Sequence, residues 1–406
     1  MPPTATTTET SPPRLLQAYR AMPAGVWALG VGSLLMDLSS ELIHSLLPIF
    51  MVTVLGSSMV TVGIVEGVAE ATAAITKVFS GVLSDWMGRR KPLLLFGYAL
   101  GAFTKPVFPL AGSIGWVFAA RFVDRIGKGI RGAPRDALVA DITEPALRGA
   151  AFGLRQALDS VGAVLGPVLA VVLLQVFAGQ LQTAMWFAVL PAFLTVAVLW
   201  RYVREPERPA ALAPGRPPLR LADARRLPLR FWGVVLLGGV FTLARFSEAF
   251  LVLRAQDVGL PLAQAPAVMV VMSLLYAVFA YPAGAAADRL PARGLLVAGL
   301  LLLVGADVLF AVAHGPLPVM GGAALWGLHM AMTQGLLAKL VADAAPTQLR
   351  GTAFGLFNLV SGGALLLASV IAGALWSAVG PAATFGAGAA FAALAAAGVL
   401  LVRARA

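Results

Sequence analysis

The sequence predicts an all-α integral membrane protein in which twelve transmembrane helices form two pseudo-symmetric bundles of six. Three observations predict this fold class. Of the 406 residues, 59% are hydrophobic and only 12% are charged, whereas about a quarter of the residues of a soluble domain are charged. Apolar stretches of membrane-spanning length recur along the chain, and a segment of the first half recurs in the second. The composition therefore excludes an ordinary soluble protein.

Each predicted span is an apolar stretch of about 20 residues, the length that crosses a bilayer, between charged residues, proline or glycine. Twelve such stretches are present, near 24–55, 59–80, 92–113, 115–138, 149–178, 182–203, 231–255, 264–287, 294–314, 317–341, 351–377 and 381–402. The fourth is too charged to be identified by hydropathy alone. We include it because the helix count and the internal repeat require it.

An internal repeat relates the two halves of the chain. LVADITEPALRGAAFGL, which begins at Leu138, agrees with LVADAAPTQLRGTAFGL, which begins at Leu340, at 11 of 17 positions and at an offset of 202 residues. Repeats in the same orientation build the two halves of many transporters. We therefore predict four regions: a disordered cytoplasmic tail over 1–23, a six-helix bundle over 24–203, a cytoplasmic linker over 204–230 and a second bundle over 231–406.

The basic residues indicate how the chain is oriented in the membrane. With the amino terminus inside, 19 of the 30 Lys and Arg residues fall in cytoplasmic segments, as the positive-inside rule requires. The net charge of +11 therefore reflects topology and contact with anionic lipid, and we expect no nucleic acid partner. We predict that both termini are cytoplasmic. The absence of cysteine excludes disulfides and thiolate metal sites.

A short charged stretch after the second span gives the first family resemblance. Gly81, Asp85, Gly88, Arg89 and Arg90 follow the pattern G-x-x-x-D-x-x-G-R-R/K. With twelve helices and a long basic central loop, this pattern resembles the major facilitator superfamily over essentially the whole chain. The resemblance implies the major facilitator fold and secondary transport. The charge-rich fourth span is similar to that of a poorly characterised bacterial and archaeal subgroup, which implies no particular substrate.

The second half has a weaker copy of this motif. Gly81 and Asp85 recur as Gly284 and Asp288 at an offset of 203 residues, but Pro291 replaces the second glycine. In the first copy, Trp86 follows the aspartate, where the family often has arginine. We expect the second copy to be the weaker cytoplasmic contact.

The fifth span has a pattern that the family associates with antiporters. Gly162, Gly166 and Pro167 match G-x-x-x-G-P, whereas Ala170 and Val171 stand where two further glycines are usual. The resemblance favours export by antiport.

Rocking of two rigid halves, which the resemblance implies, requires cytoplasmic contacts that form in one state and break in the other. Asp85 is suited to the positive end of a neighbouring helix, and Arg89 or Arg90 to an ion pair with Asp141. The predicted cytoplasmic gate comprises Gly81, Asp85, Gly88, Arg89, Arg90, Asp141, Arg148, Gly284, Asp288, Asp343 and Arg350. The alternative is that these charges only hold the orientation of the chain.

Ionisable residues inside the membrane indicate a transport pathway or a proton relay, because burying a charge there is costly. In the first span, Asp37, Glu41 and His44 lie on one helix face. A carboxyl group removed from water takes up a proton more readily. The proton-coupling candidates are Asp37, Glu41, His44, Glu66, Glu70, Asp124 and Asp159. The alternative is that many of these residues form structural salt bridges.

Arginines in the same spans are suited to an anionic substrate, because the guanidinium group binds an anion through two parallel hydrogen bonds. The substrate-binding candidates are Arg121, Arg125, Arg155, Arg245, Glu248, His329, Gln334 and Asn358. At the repeat offset, Arg121 and Arg125 correspond to Ala323 and Gly327. We therefore expect polar contacts mainly on the first half and a more apolar wall on the second.

We predict a secondary transporter that works by alternating access, with proton-coupled efflux (antiport) of a small organic or anionic solute. Symport import is the first alternative, and transport of a metal or metal complex, suggested by His329 and Met330, is the second. A membrane-embedded enzyme or receptor is a different class, but the chain has no HExxH, GxSxG or phosphate-cradling motif. We expect no enzymatic activity, no cofactor and no bound metal, and a monomer in a prokaryotic inner or plasma membrane, with protons and lipids as partners.

Overall fold

The computed structural model describes residues 22–87, 89–205, 221–346 and 349–401. This part of the chain is α-helical, with two short 3-10 helices at Pro145–Leu147 and Leu221–Arg226 and no strand. Most of the predicted tail over 1–23 and the middle of the predicted linker over 204–230 lie outside the described residues. The structure thus describes the predicted spans.

The first half contains eight α-helices: α1 Ala24–Thr53, α2 Met59–Met87, α3 Lys91–Thr104, α4 Val107–Leu110, α5 Ile114–Asp141, α6 Arg148–Val176, α7 Leu181–Trp186 and α8 Val189–Tyr202. The second half contains seven: α9 Leu229–Leu243, α10 Ala249–Asp257, α11 Ala267–Arg289, α12 Ala292–Val312, α13 Pro316–Ala344, α14 Arg350–Ala378 and α15 Pro381–Leu401. Because α3 with α4, α7 with α8 and α9 with α10 each make one span, the predicted all-α fold of two six-helix bundles is confirmed.

Three of these spans are divided in two, which the apolar windows did not predict. Pro106 follows the end of α3, where its ring and its missing N–H interrupt the helix. The amides of Phe187 and Ala188 bond to carbonyls three residues back, a tighter turn that separates α7 from α8. Between α9 and α10, the amide of Ser247 donates to the Ser369 hydroxyl at 3.2 Å. A tertiary contact thus replaces a helical hydrogen bond at this break.

The charged motif after the second span also differs from its prediction. We predicted a helix that ends near residue 80 and a motif in the connector, whereas α2 continues to Met87. Gly81 therefore lies within α2, and Gly284 lies within α11. Residues 81–87 contain no proline, and a single glycine destabilises a helix interior by less than a proline does. The motif is helical up to Met87, and residues 89–90 lie in the connector to α3.

Nine helical segments in the described part are long and apolar enough to cross a membrane. The charged helix α5 is not among them, although it is 28 residues long. Its length spans the bilayer at about 1.5 Å per residue, and four of its charged residues, Arg121, Asp124, Arg125 and Arg131, are buried against neighbouring helices. As predicted, α5 is recognisable as a span only from its place in the bundle.

The connectors define two faces of the bundle. The motif face has residues 89–90, 142–147, 203–205 and 221–228 of its connectors, and the far face has the connectors at 54–58, 177–180, 258–266 and 313–315. Within the first half, α1 packs on α6 and α8, and α5 packs on α2 and α3. Within the second half, α11 packs on α13, and α12 packs on α13 and α15. The halves meet where α2 packs on α14 and α6 on α11.

Close backbone contact joins the two halves near the far face. A Cβ at Gly63 of α2 would lie 2.2 Å from the carbonyl oxygen of Ser369, and one at Gly373 of α14 would lie 2.4 Å from that of Met59. Side chains are excluded at both positions, so glycine lets the helices touch. One apolar cluster there contains residues of both halves, including Phe50 and Phe250.

The motif face is organised differently. In the described part, one apolar cluster near this face, around Met22, Tyr98 and Leu199, draws only on the first half. Another, around Phe231, Val341 and Ala353, draws only on the second half. Apolar contact between the halves is therefore concentrated at the far face.

Candidate functional site

A belt of ionisable side chains crosses the first half, and helix α5 is its axis. Residues three, four or seven apart on a helix share a face. In α5, Asp124 and Arg125 follow Arg121 by three and four residues, Arg131 follows Asp124 by seven, and Arg135 follows Arg131 by four. Helices α1, α2, α3 and α6 supply their partners. We call this set of residues and its ion-pair partners the charged belt.

The end of the belt nearest the far face is a buried acid, arginine and histidine cluster. Arg121 Nη2 donates to Glu66 Oε2 at 2.7 Å, and both side chains are almost fully buried. His44 Nε2 lies 4.0 Å from the same Glu66 oxygen, and His44 Nδ1 lies 3.8 Å from Glu41 Oε2. The structure thus brings together three of the predicted proton-coupling residues and one predicted substrate-binding arginine.

The middle of the belt has a second group of buried ion pairs. Lys105 Nζ lies 2.8 Å from Asp124 Oδ1 and also donates to Ser40 Oγ at 3.1 Å. Arg125 Nη1 lies 3.4 Å from Glu70 Oε1, and Arg125 Nε lies 3.8 Å from Asp124 Oδ2. Asp124 is therefore shared by two cations from different helices.

Arg131 separates the middle of the belt from its motif-face end. Its Nη2 lies 3.9 Å from Asp37 Oδ1, and its guanidinium carbon lies 4.6 Å from the centre of the Tyr98 ring. A cation over an aromatic face gains a further attraction. Asp37 thus faces a cation that is already held in place by Tyr98.

At the motif-face end, two arginines share two acids. Arg135 Nε lies 3.2 Å from Asp136 Oδ1, and Arg135 Nη1 lies 3.7 Å from Asp159 Oδ2. Arg155 pairs with Asp159 one turn away on α6, and its Nε lies 3.7 Å from Asp136 Oδ1. Predicted residues Arg155 and Asp159 are therefore joined by two residues that were not predicted, Arg135 and Asp136.

Several buried atoms of the belt have no hydrogen-bond partner in the described part of the chain. They include Arg121 Nε and both Nε and Nη2 of Arg125, although each side chain is only 1% exposed. An unsatisfied buried donor is costly. The cationic centre of the belt is therefore suited to a further acceptor, such as the anionic group of a solute.

The glycines of the antiport-like pattern hold α6 against the acids of α1. A Cβ at Gly162 would lie 2.5 Å from the Leu34 carbonyl oxygen, and one at Gly166 would lie 2.7 Å from Glu41 Cβ. Pro167 is buried beside them in α6. The pattern therefore fixes the distance between α6 and the helix that has Asp37 and Glu41.

The predicted residues of the second half do not form a comparable network. At the break between α9 and α10, Arg245 Nη2 lies 3.7 Å from Glu248 Oε1. His329 is buried, donates a hydrogen bond from Nδ1 to the Gly299 carbonyl at 2.7 Å, and stacks on Phe241. These contacts place His329 in the packing of its own half.

The other two predicted residues of this half are more accessible. Gln334 is exposed, and its Oε1 accepts a hydrogen bond from Tyr276 Oη at 3.1 Å. Asn358 is half-buried on α14. No group of three or more His, Asp or Glu side chains in the described residues is arranged to hold a metal ion.

The predicted gate is partly visible at the motif face. Arg90 Nε lies 3.1 Å from Asp141 Oδ2, and the Arg90 amide bonds to the Glu205 carboxylate. Arg148 Nε donates to the Ala140 carbonyl at 3.1 Å, and Arg89 is exposed. These contacts all lie within the first half, so they order its motif-face end and do not bridge the two halves.

The second copy of the gate is less completely described. The backbone carbonyl of Asp343 accepts a hydrogen bond from Arg230, and a Cβ at Gly284 would meet no atom within 4 Å. The side chains of Asp85, Asp288 and Arg350, and the whole of Gly88, lie outside the described residues.

Sequence reasoning missed several members of the belt and one isolated acid. Arg131, Arg135 and Asp136 were visible as charges spaced along α5, but their partners lie on other helices. Asp307 was visible in the sequence as the only acid in the apolar helix α12. An ionisable residue inside a membrane span is by itself a signal of a candidate site.

Comparison with known proteins identifies the class to which this fold and belt belong. The family model of the Major Facilitator Superfamily matches residues 29–254 and 247–406. An uncharacterised transporter of this class from Methanocaldococcus jannaschii is 31% identical over 374 residues, which cover 90% of this chain and 92% of the relative. The chain therefore belongs to the Major Facilitator Superfamily and is a multi-pass membrane transporter.

Partial relatives and solved structures agree with this assignment. The multidrug resistance protein MdtH of Edwardsiella ictaluri is 30% identical over 155 residues, 38% of each chain. The fold is similar to that of the POT family transporter PepTSo, with a TM-score of 0.75 and 14% identity over 93% of this chain and 97% of the other. The human organic anion transporter MFSD10 gives a TM-score of 0.64 at 20% identity over 93% and 99%.

Proposed function

We propose that the protein is a proton-coupled secondary transporter that exports a small organic or anionic solute by antiport, through alternating access of a site on the charged belt. The observation behind this proposal is the pair of buried arginines, Arg121 and Arg125, which keep unpartnered N–H groups beside Glu66 and Glu70. The solute then binds the arginines, and the proton binds the acids, of the same two ion pairs, Arg121–Glu66 and Arg125–Glu70.

The conformation supports a site that is accessible from one side. The halves share an apolar cluster at the far face, while the described clusters near the motif face each belong to one half. If the positive-inside rule sets the orientation, the motif face is cytoplasmic and the belt is open to the cytoplasm. This arrangement suits the loading step of an exporter in a prokaryotic inner membrane.

Antiport requires that a proton and the solute exclude each other at one site. Glu41 and Glu70 are partly exposed, at 21% and 29% of their side chains, so both can meet a solute as well as a proton. Protonation of either acid removes a negative charge that an organic solute would otherwise contact. The glycines at 162 and 166, and the partial similarity to MdtH, a multidrug resistance protein, also support export.

Symport of an anion is the second candidate, and the Glu66–Arg121 pair favours it. An anionic group that binds Arg121 displaces Glu66, whose carboxylate is left buried beside His44. A buried carboxylate without its cation is strongly destabilised, so Glu66 takes up a proton. Anion and proton would then be carried together.

Flux measurements in proteoliposomes distinguish these candidates. Radiolabelled anionic, cationic and neutral organic compounds are tested under pH gradients of both signs, with a pH-sensitive dye that reports proton movement. Antiport predicts solute and proton flux in opposite directions, and symport predicts the same direction. Flux that does not respond to the gradient would reject proton coupling.

The matched variants for this assay are Glu66→Gln and Glu144→Gln. Glu66 is buried in the belt, whereas Glu144 is exposed in a connector. We expect Glu66→Gln to abolish gradient-driven flux, while Glu144→Gln leaves it unchanged. Equal flux in both variants would contradict the assignment of the site to the belt.

A further inference from the structure

Among the described residues of the largely apolar second half, one acid is removed from solvent and has no hydrogen-bond or ion-pair partner. Asp307 of α12 is 0% exposed. Neither of its carboxylate oxygens has a hydrogen-bond partner in the described part of the chain. Asp307 lies five residues before the end of α12 at Val312, which is about 7.5 Å along a helix. The carboxyl group is therefore close to the far face.

An aromatic cluster lies beside this carboxyl group. A Cβ at Gly388 of α15 would lie 2.7 Å from Asp307 Oδ2 and 3.0 Å from the Phe246 ring, so the acid lies against the α15 backbone and beside Phe246. That ring contacts Trp326 and Phe385, at centroid distances of 5.7 and 5.4 Å. The surroundings thus supply apolar contact and no cation.

Ionisable groups on the neighbouring elements are engaged elsewhere. Those whose side chains the structure describes are Arg245 and Glu248 at the α9–α10 break, Arg254 and Asp257 on α10, Arg293 at the opposite end of α12, and His329 and Asp343 on α13. His314 in the connector after α12 is exposed, and the side chain of Lys339 lies outside the described residues. Helix α15 has none. Arg245 pairs with Glu248, and Arg254 pairs with Asp257 and donates to the Phe310 carbonyl. No ion pair to Asp307 exists among the described residues.

We propose that Asp307 is a proton-binding site, and that the far face closes only when this acid holds its proton. A carboxylate buried beside aromatic rings without a cation or a hydrogen-bond donor is strongly disfavoured relative to the neutral acid. The conformation described here therefore contains the neutral form. The Phe246 ring contacts Phe250 at a centroid distance of 5.7 Å, and Phe250 lies 3.5 Å from where a Cβ at Gly63 of the first half would be. When the halves separate at the far face, this aromatic cluster loses its cover, the O–H proton of Asp307 passes to water on that side, and the carboxylate must regain a proton before closure.

The size of the site limits its occupant to a proton. Asp307 is fully buried, and the cavity that shares its neighbours Phe246 and Gly388, but is not lined by Asp307 itself, has a volume of about 10 Å³. This volume holds at most a single water molecule, so an organic cation does not fit. A proton also needs no additional ligands, which the apolar surroundings do not provide.

Infrared difference spectroscopy tests the protonation state directly. The purified protein in lipid nanodiscs at neutral pH is compared with Asp307→Asn, and with Asp257→Asn as a control, because Asp257 pairs with Arg254 and is 42% exposed. We expect the wild-type minus Asp307→Asn spectrum to contain a protonated-carboxyl band that shifts in D₂O. The Asp257→Asn difference should lack it. Absence of the band from the first difference would overturn the proposal.

Electron paramagnetic resonance distances test the link to closure. The chain has no cysteine, so Ser58→Cys and Ala378→Cys, both exposed at the far face, can be labelled cleanly. In the wild type, we expect the longer, open distance to gain population as the pH rises. The Asp307→Asn protein has a neutral side chain at position 307 at every pH, so its label distance should remain short as the pH rises.

Equal pH dependence in both proteins would refute the link to closure. If Asp307→Asn does not fold, Asp307→Ala removes the same ionisable group and is measured instead. These measurements use no solute, so they decide the role of Asp307 even if proton-coupled flux is not found. Conversely, flux that depends on Glu66 does not require a proton at Asp307.

Discussion

The two halves have the same order of helices, but they stabilise their interiors in different ways. In α5, Arg121 and Asp124 are buried in ion pairs with acids and a lysine of neighbouring helices. Their counterparts in α13, at the repeat offset of 202, are Ala323 and Trp326, both fully buried among apolar residues. Because a buried ion pair stabilises a fold no better than well-packed apolar side chains, stability alone does not account for the ion pairs of the first half.

The largest effect is expected for Arg121→Ala. This change leaves Glu66 buried without its cation, and breaking a buried pair in this way costs about 3–5 kcal/mol. Thermal unfolding of the detergent-purified protein should show a marked loss of stability, and proteoliposome flux should be lost. The double variant Arg121→Ala/Glu66→Gln should recover much of the stability, because no uncompensated charge remains.

Lys77→Ala is the control for this experiment. Lys77 is an exposed cation on α2, and it forms no ion pair among the described residues. We expect its loss to change stability by less than about 1 kcal/mol. Similar stability of the Arg121→Ala protein and the wild type would show that the belt does not hold the first half together.

The next largest effect is expected for Gly166→Ala. The added Cβ would lie 2.7 Å from Glu41 Cβ and 2.9 Å from the Leu38 carbonyl oxygen, and such overpacking costs about 1–3 kcal/mol. The corresponding residue of the second half, Ala368, already has a Cβ. Reduced unfolding temperature and reduced flux would show that only the first half needs this close approach.

Gly153→Ala on the same helix is the matched control. A Cβ there would meet no atom within 4 Å, and alanine in a helix is more stable than glycine by about 0.5–1 kcal/mol. We therefore expect Gly153→Ala to be neutral or slightly stabilising. If both variants are equally stable, the contact between α6 and α1 is looser than its geometry indicates.

The sequence predicted the spans well, because apolar length and charged breaks are local signals. It failed at Ser247, where a hydroxyl of α14 replaces a helical bond, and no local pattern reports a tertiary contact. The sequence predicted an ion pair of Arg89 or Arg90 with Asp141, and the distance of 3.1 Å between Arg90 Nε and Asp141 Oδ2 agrees with the second of these pairings. The pairing of Lys105 with Asp124 depends on how two helices pack, which spacing alone does not give.

A smaller effect on stability, but a clear one on flux, is expected for Asp141→Asn. Removing the carboxylate breaks its ion pair with Arg90, and a pair near the surface contributes about 0–1 kcal/mol. The unfolding temperature should therefore change little. If the pair orders the gate, gradient-driven flux falls severalfold, whereas flux equal to that of Glu144→Gln would assign Asp141 to orientation only.

The smallest effect is expected for Gln334→Ala, which tests whether the second half is an apolar wall. Gln334 accepts a hydrogen bond from Tyr276 and is exposed, so losing it should cost less than about 1 kcal/mol. Because 1.36 kcal/mol corresponds to a tenfold change in rate, flux should fall by less than about fivefold. Tyr276→Phe removes only the donor and separates loss of this bond from loss of a solute contact. Flux that is abolished in Gln334→Ala but retained in Tyr276→Phe would place a solute contact on the second half, and the division between the two halves would no longer hold.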